Sequence, residues 1–242
     1  MSVYSTILSH KQQSAKLLAI LIDPDKEKIY LPLLSKLKQA DLVFVGGSTG
    51  ENVEPCIAML REHTNAPLII FPGNASQFSP QADALLFLTL LNARTADMLI
   101  DPHVHMAIPI LNSGIEAIPM GYILIDGGRK SSVEIVSKCA PIPQNEVDTI
   151  VSTAVAGQLL GKQLIYLEAG SGAKTPVSSD IICAVRSQLQ VPLIVGGGLC
   201  TPEAMLQAFE AGADIVVIGN HFEQNPDEMG DFVRIKRERY GE

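Results

Sequence analysis

The stretch Ile165-Tyr166-Leu167-Glu168-Ala169-Gly170-Ser171-Gly172-Ala173-Lys174 begins as a short apolar run and breaks into small residues just after one acid. It reads as a buried strand ending in Gly-Ser-Gly, where backbone N–H groups are left pointing at an anion. Glycine turns the chain there without a side chain to block approach. A phenol and a carboxylate stand immediately before that turn, so chemistry and anion binding meet within a few residues.

The same strand-then-turn unit recurs along the chain. Residues 16–22 hold the run Leu17-Leu18-Ala19-Ile20-Leu21-Ile22, apolar on both faces as a strand of a parallel sheet is, which stops at Asp23-Pro24-Asp25-Lys26. Further strands are expected at 42–45, 68–71, 82–87, 119–125, 163–167, 191–195 and 214–218. Helical spacing covers 2–14, 28–40, 51–64, 94–111, 144–160, 178–189, 202–211 and 227–239, with Pro102 and Pro109 dividing or kinking the fourth of these segments. Residues 129–143 form an irregular excursion.

Eight alternating units without a linker predict an α/β fold, a single (β/α)8 TIM-type barrel spanning 1–242. An open doubly wound sheet uses the same local units, but the dinucleotide fingerprint is missing after the first strand.

Composition narrows the function classes. The chain has 242 residues, 47% of them hydrophobic, enough for a large core. A formal charge of −8 argues against a nucleic-acid surface, so bound phosphates would be met by local amides rather than a basic face. The four cysteines are scattered without metal-ligand spacing, the first residues lack the apolar core of a secretory signal, and no run is long enough to span a membrane. A reduced, cytoplasmic setting is the expectation.

In a barrel all strand C-termini face one mouth. Three consecutive strands end in related loops: Glu168-Ala169-Gly170-Ser171-Gly172, Gly196-Gly197-Gly198 and Gly219-Asn220. Glycine loops after the last two strands are the recurrent phosphate site of barrels, and Thr201-Pro202 starts a helix whose free amides face the same mouth. Any one such turn is unremarkable; three in succession predict a phosphate monoester site.

Across the mouth, Asp23 and Ser48 are hard oxygen donors suited to Mg²⁺; local sequence alone favours a helix cap and a turn residue. Asp25 and Lys26 read as solvated charges of a first helical turn. His103 and His105, beside Pro102, read as surface turn residues rather than a metal pair.

Taken in order, Leu21-Ile22-Asp23-Pro24-Asp25-Lys26, Val45-Gly46-Gly47-Ser48, Ile70-Phe71-Pro72-Gly73-Asn74, Tyr166 through Gly172, Val195-Gly196-Gly197-Gly198 and Val217-Ile218-Gly219-Asn220 resemble the geranylgeranylglyceryl phosphate synthase family. The resemblance runs over nearly the whole chain. It implies prenyl transfer to glycerol phosphate, with Mg²⁺ at Asp23 and Ser48. It also implies sn-glycerol 1-phosphate held by Tyr166, Leu167, Glu168, Ala169, Gly170, Ser171, Gly172, Gly197, Gly198, Gly219 and Asn220. One branch of the family carries a lysine two residues before the metal aspartate. Leu21 stands at that position here, so the chain resembles the other branch, group II, and geranylgeranyl diphosphate is the donor that likeness implies.

That reaction suits the residues. An allylic diphosphate ionises once its leaving group is neutralised, and the acceptor's primary hydroxyl needs a base during attack. Glu168 is placed to be that base, or alternatively to position the glycerol hydroxyls. Tyr166 orients a substrate or is an ordinary buried tyrosine, and Tyr122 is a weaker candidate of the same kind. Residues 85–91 and 98–111 could line an apolar trough for the prenyl tail. The family further implies a homo-oligomer, dimer or hexamer, and the lipid product suggests transient contact with a membrane surface. A sugar-phosphate isomerase and a non-catalytic phosphate-binding barrel are the alternatives.

Overall fold

In the computed structural model, which describes residues 2–26, 31–47, 53–74 and 77–241, eight parallel strands pair in chain order and close into a barrel. They are β1 (Leu17–Ile22), β2 (Leu42–Val45), β3 (Leu68–Ile70), β4 (Ala84–Leu90), β5 (Glu116–Leu124), β6 (Leu164–Glu168), β7 (Leu193–Gly196) and β8 (Ile215–Ile218). Closure is made by β1 against β8, with Leu17 opposite Ile215 and Ile20 opposite Ile218.

Because successive side chains point to opposite faces, each strand feeds two cores. Ala19, Phe44, Ile69, Leu86, Met120, Tyr166, Ile194 and Val217 point inward and fill the barrel. Leu18, Ile20, Val43, Val45, Ile165, Leu167, Val195 and Val216 point outward under the helices. That double burial is why the strands read as continuous apolar runs.

The helices are α1 (Val3–Gln12), α2 (Val53–His63), α3 (Ala96–Leu99), α4 (Asp101–Ser113), α5 (Ser132–Ser137), α6 (Val147–Leu159), α7 (Ser179–Gln188), α8 (Pro202–Glu210), α9 (Asn220–Gln224) and α10 (Met229–Tyr240). Short 3₁₀ segments occupy Pro24–Lys26, Leu31–Gln39 and Pro226–Glu228. Ser131, Ser178 and Thr201 cap α5, α7 and α8 by accepting an N–H three residues on.

Helix α1 closes the floor. Val3 and Ile7 belong to the inner core, and the Glu116 carboxylate accepts the N–H groups of Val3 (2.6 Å) and Tyr4 (3.1 Å) at its N-terminus.

A repeated device finishes the same end of the barrel. Asp41, Asp83 and Asp214 each stand one residue before an even-numbered strand and accept the N–H of Leu18 (2.6 Å), Leu68 (2.7 Å) and Leu193 (2.8 Å) on the preceding strand. Each also holds a cation: Lys236 at 2.5 Å, Arg61 at 2.9 Å and Arg186 at 3.0 Å. Strand N–H groups at a barrel rim have no ladder partner below them, and these carboxylates supply one.

Several expectations are corrected. The segment expected as a helix over 28–40 is 3₁₀ at Leu31–Gln39, and its first residues lie outside the described set. Among the described residues no helix separates β3 from β4, so the βα alternation lapses there. Strand β4 begins at Ala84 and runs to Leu90, and β5 begins at Glu116 rather than 119. The long helix expected over 94–111 divides into α3 and α4, with Pro102 in the first turn of α4 and Pro109 inside it. The excursion at 129–143 contains α5 and a bridge from Ile142 to Ile125.

Lys236 is almost fully buried, so removing its counter-charge strands an ammonium in the core. Asp41→Asn is expected to lower unfolding stability by about 3 kcal/mol, read as a lower urea midpoint at unchanged slope. A loss under about 1 kcal/mol, the scale of an exposed pair, would contradict it.

Candidate active site

The barrel interior is floored by rings. Phe71 lies 6.1 Å from Phe44, 6.0 Å from Tyr122 and 5.7 Å from Tyr166, and Tyr122 meets Tyr166 edge-on at 5.2 Å. These aromatics have bulk enough to fill the narrow bore and end the solvent cavity above them. Burial pushes both tyrosine hydroxyls well above their usual pKa, and the nearby Glu168 charge adds to this, so both stay protonated donors.

Glu168, last residue of β6, points inward from the layer above. Its Oε1 accepts the Gly170 N–H at 2.7 Å, and the Tyr166 hydroxyl hydrogen-bonds the same carboxylate. Burial raises its pKa, while those two hydrogen bonds pull it partly back. The result is a carboxylate more basic than a solvated one, as a proton acceptor needs.

Glycine makes room for it. A Cβ at Gly196 would strike the Tyr166 hydroxyl, and one at Gly197 would strike Glu168 Oε1 and lie 2.7 Å from the Gly170 nitrogen. Gly197 also has φ +84°, a left-handed conformation costly for other residues.

Three loops meet beside this carboxylate. Ser171 and Gly172 follow β6, Gly197 and Gly198 follow β7, and Gly219 and Asn220 follow β8. The Asn220 amide donates to Ser171 Oγ at 2.6 Å, tying the first loop to the third.

Asp23 lies across from them, at the end of β1. Its Oδ1 accepts the Asp25 N–H at 3.1 Å and its Oδ2 lies 3.2 Å from Lys26 Nζ. The second glycine after β2 abuts it: a Cβ at Gly47 would collide with the Asp23 carboxylate. Lys26 also reaches Glu223 Oε2 at 3.2 Å and Asn220 Oδ1 at 3.5 Å. Burial lowers the Lys26 pKa, but Glu223 and Asp23 outweigh it and hold the ammonium charged.

All of this lines one cavity of about 330 Å³. Its other arm is apolar, walled by Leu88 and Leu90 of β4, Met98 of α3, and Val133 and Val136 of α5. The cavity therefore joins a glycine-lined end, a buried carboxylate and an apolar arm in one space.

The sequence matches the PcrB family over residues 10–236. The chain belongs to that family. It is 45% identical over 226 residues to the geranylgeranylglyceryl phosphate synthase of Zunongwangia profunda, covering 91% of this chain and 97% of the relative. It is 39% identical to the synthase of that name from Korarchaeum cryptofilum, covering 91% and 93%. Among solved structures it superposes, at TM-score 0.89 and 34% identity, on the (S)-3-O-geranylgeranylglyceryl phosphate synthase of Thermoplasma acidophilum in complex with sn-glycerol-1-phosphate, covering 98% of this chain and 99% of the other.

Within this PcrB-family barrel, Asp23, Tyr166, Glu168, Ser171, Gly172, Gly197, Gly198, Gly219 and Asn220 are brought together around the cavity. Leu167 and Ala169 are not: strand alternation turns both outward into the helix layer, where they are buried. Gly170 contributes through its N–H, which is engaged by Glu168. Ser48 lies outside the described residues. Tyr122 lines the cavity floor as the weaker candidate expected.

Other readings fail. Lys26 is no solvated first-turn charge, because the 3₁₀ turn aims it into the cavity. His103 and His105 lie within α4, and His103 packs edge-on against Phe87 at 4.6 Å and bonds the Leu88 carbonyl at 2.8 Å. The apolar arm takes Leu88, Leu90 and Met98 from the expected set, whereas Val104, Ile108 and Leu111 point away and are exposed.

Its second wall, Val133 and Val136, and the carboxylate Glu223 went unrecognised. The signal for Glu223 was available: it follows Asn220 by three residues in a helix starting at the end of β8, so both face one way.

Gly197→Ala is expected to leave a folded barrel but weaken phosphate-ester binding at least tenfold, since strain and the Glu168 collision fall on one loop. Isothermal titration with glycerol phosphate checks this; unchanged affinity would rule out the loop as a ligand site.

Proposed function

We infer that the protein joins sn-glycerol 1-phosphate, through its 3-hydroxyl, to the prenyl group of an allylic diphosphate, releasing diphosphate in ether-lipid synthesis. The donor is geranylgeranyl diphosphate, as in the names its relatives carry. The observation that carries the reading is the single cavity in which a buried carboxylate stands between a glycine-lined anion pocket and an apolar arm. A sugar-phosphate isomerase would have no use for that arm.

The chain's own groups divide the work. Loop amides about Gly172, Gly198 and Gly219, with Ser171 and Asn220, hold the acceptor's phosphate. This fixes the hydroxyl beside Glu168 and removes the entropic cost of bringing it there. The C1–oxygen bond to diphosphate breaks, the C1–oxygen ether bond forms, and the hydroxyl proton passes to Glu168. Tyr166 holds the carboxylate in the orientation that receives it. Leu88, Leu90, Met98, Val133 and Val136 keep the prenyl chain, and the cation developing at its end, away from water.

Asp23 fits a magnesium ion of the kind that keeps several waters and takes its remaining ligands from diphosphate oxygens. Its carboxylate faces the cavity, and the loop leading to Ser48 is pressed against it at Gly47. When bound, such an ion would neutralise charge on the leaving diphosphate.

Two surface features support the wider setting. Ile100, Val104, Ile108 and Leu111 form an apolar stripe on α3–α4, between 56% and 74% exposed, that fits a homo-oligomer contact, in a dimer or hexamer. Ile135 and Val136 stand exposed on α5, flanked by Arg129, Lys130 and Lys138, where a transient membrane-surface contact could receive the lipid product. No helix among the described residues is long and apolar enough to cross a membrane. Dispersed cysteines fit a reducing cytoplasm.

Incubation with labelled sn-glycerol 1-phosphate, a series of prenyl diphosphates and Mg²⁺ should yield a prenyl ether, and yield none after chelation. No ether with any chain length would falsify the reading. The rate kcat/KM should fall as pH drops through the Glu168 pKa, with this acidic limb displaced upward from the ordinary carboxylate range. Glu168→Gln should remove the limb and cost about 10²–10⁴ in kcat while glycerol phosphate still binds. If binding collapses instead, Glu168 positions the acceptor and is not the base.

A further inference from the structure

The charge lining the cavity is unbalanced for a site that takes two polyanions. Among the described lining residues, Asp23, Glu168 and Glu223 are carboxylates, and Lys26 is the sole lysine or arginine. Glu223 is the least expected of them. It is buried, faces the anion-binding end, and has no part in the chemistry just described. Its carboxylate accepts from the Lys26 ammonium, 3.2 Å away, and from the backbone N–H of Asp23.

Lys26 sits at the seam where β1 and β8 close the barrel. It arrives from the 3₁₀ turn after β1, while Asn220 and Glu223 lie one helical turn apart on α9 after β8. An ammonium has three N–H donors. Two are directed to carboxylates at 3.2 Å, Asp23 and Glu223, and among the described residues the remaining neighbour, Asn220 Oδ1, is at the long limit of 3.5 Å. One donor is thus poorly used, and the side chain keeps about a third of its surface (36%) open. Asn220 is in turn bonded to Ser171 at 2.6 Å, so the underused donor lies beside the loop that holds the acceptor's phosphate.

We propose that Lys26 is a substrate-binding residue whose ammonium contacts the acceptor's phosphate from the β1 side, and that Glu223 is the positioning residue that holds it there. The identity of the acceptor rests on the prenyl-transfer reading. Glu223 offsets part of the cost of a fixed ammonium in the empty site and presents it to the phosphate without a search through rotamers. Asp23, on the diphosphate side, restrains the same nitrogen, so one cation spans the border between the two substrates.

The test is calorimetric titration of sn-glycerol 1-phosphate, in buffer with chelator and no prenyl donor, into wild type, Lys26→Met, Lys26→Arg, Glu223→Gln and the Lys26→Met/Glu223→Gln double variant, with melting temperature as a check on folding. Wild type should bind, Lys26→Met should weaken affinity about tenfold or more, and Lys26→Arg should recover most of it. Glu223→Gln should weaken affinity in the same titration and, in the separate prenyl-transfer assay with Mg²⁺ and donor, raise KM for the acceptor with kcat within about twofold; the double variant should bind no more weakly than Lys26→Met alone, because Glu223 acts through Lys26.

Equal affinity in wild type and Lys26→Met overturns the proposal while leaving the prenyl-transfer reading intact. A double variant markedly weaker than Lys26→Met overturns the role given to Glu223. No binding by wild type overturns the reading itself, and this proposal with it. If Lys26→Met does not fold, Lys26→Gln replaces it under the same criteria.

Discussion

The pairing of Leu17 through Ile20 with Ile215 through Ile218 closes the sheet, and the whole mouth depends on that closure. An open sheet of the same strands would leave Asp23 and Asn220 on opposite edges. Closed, it brings Lys26 within hydrogen-bonding range of both, and it places the β6, β7 and β8 loops around one side of a common cavity. The opposite rim is finished by Asp41, Asp83 and Asp214, which satisfy strand N–H groups that closure alone leaves unpaired. The cavity lies at the other rim, which is formed by the loops after the strands.

At the mouth, space is the scarce quantity. The bore is stopped by Phe44, Phe71, Tyr122 and Tyr166, and Glu168 stands directly on that floor. A buried carboxylate must have hydrogen bonds, and the partners here, Tyr166 and the Gly170 N–H, are local to its own strand and turn. Gly196 and Gly197 are then required by clearance for Tyr166 and Glu168, and Gly197 also by its left-handed backbone. The same burial that makes this carboxylate costly makes it more basic than a solvated one.

The gap in the βα alternation between β3 and β4 has a related effect. Among the described residues no helix follows β3, and the apolar arm is walled by β4, α3 and α5. The short helix α5, carried on the excursion after β5, supplies the wall through Val133 and Val136. A regular barrel has a polar mouth ringed by short loops. Here two irregular connections open it on one side into an apolar space suited to a lipid tail.

The barrel was legible in the chain because doubly buried strands leave unbroken apolar runs, and glycine-rich turns mark their C-terminal ends. Asp23, Glu168, the three glycine loops and Asn220 could be placed at one mouth on that pattern, together with the family motifs. The division of the 94–111 segment beside Pro102 was legible too, because proline starts a helix; the 3₁₀ character of Leu31–Gln39 was not, because it depends on how the segment packs rather than on local propensity. The outward sense of Leu167 and Ala169 was legible, since strand alternation fixes it once Glu168 faces the cavity.

Lys26 and Glu223 mark the limit most sharply. They are 197 residues apart, and nothing in either local sequence announces the other. Only closure of β1 on β8 makes them partners, because it is a through-space contact between the first and last strands that puts their charges together. The chain alone determined which residues stand at the strand ends; tertiary structure decided which of those ends share a single electrostatic environment.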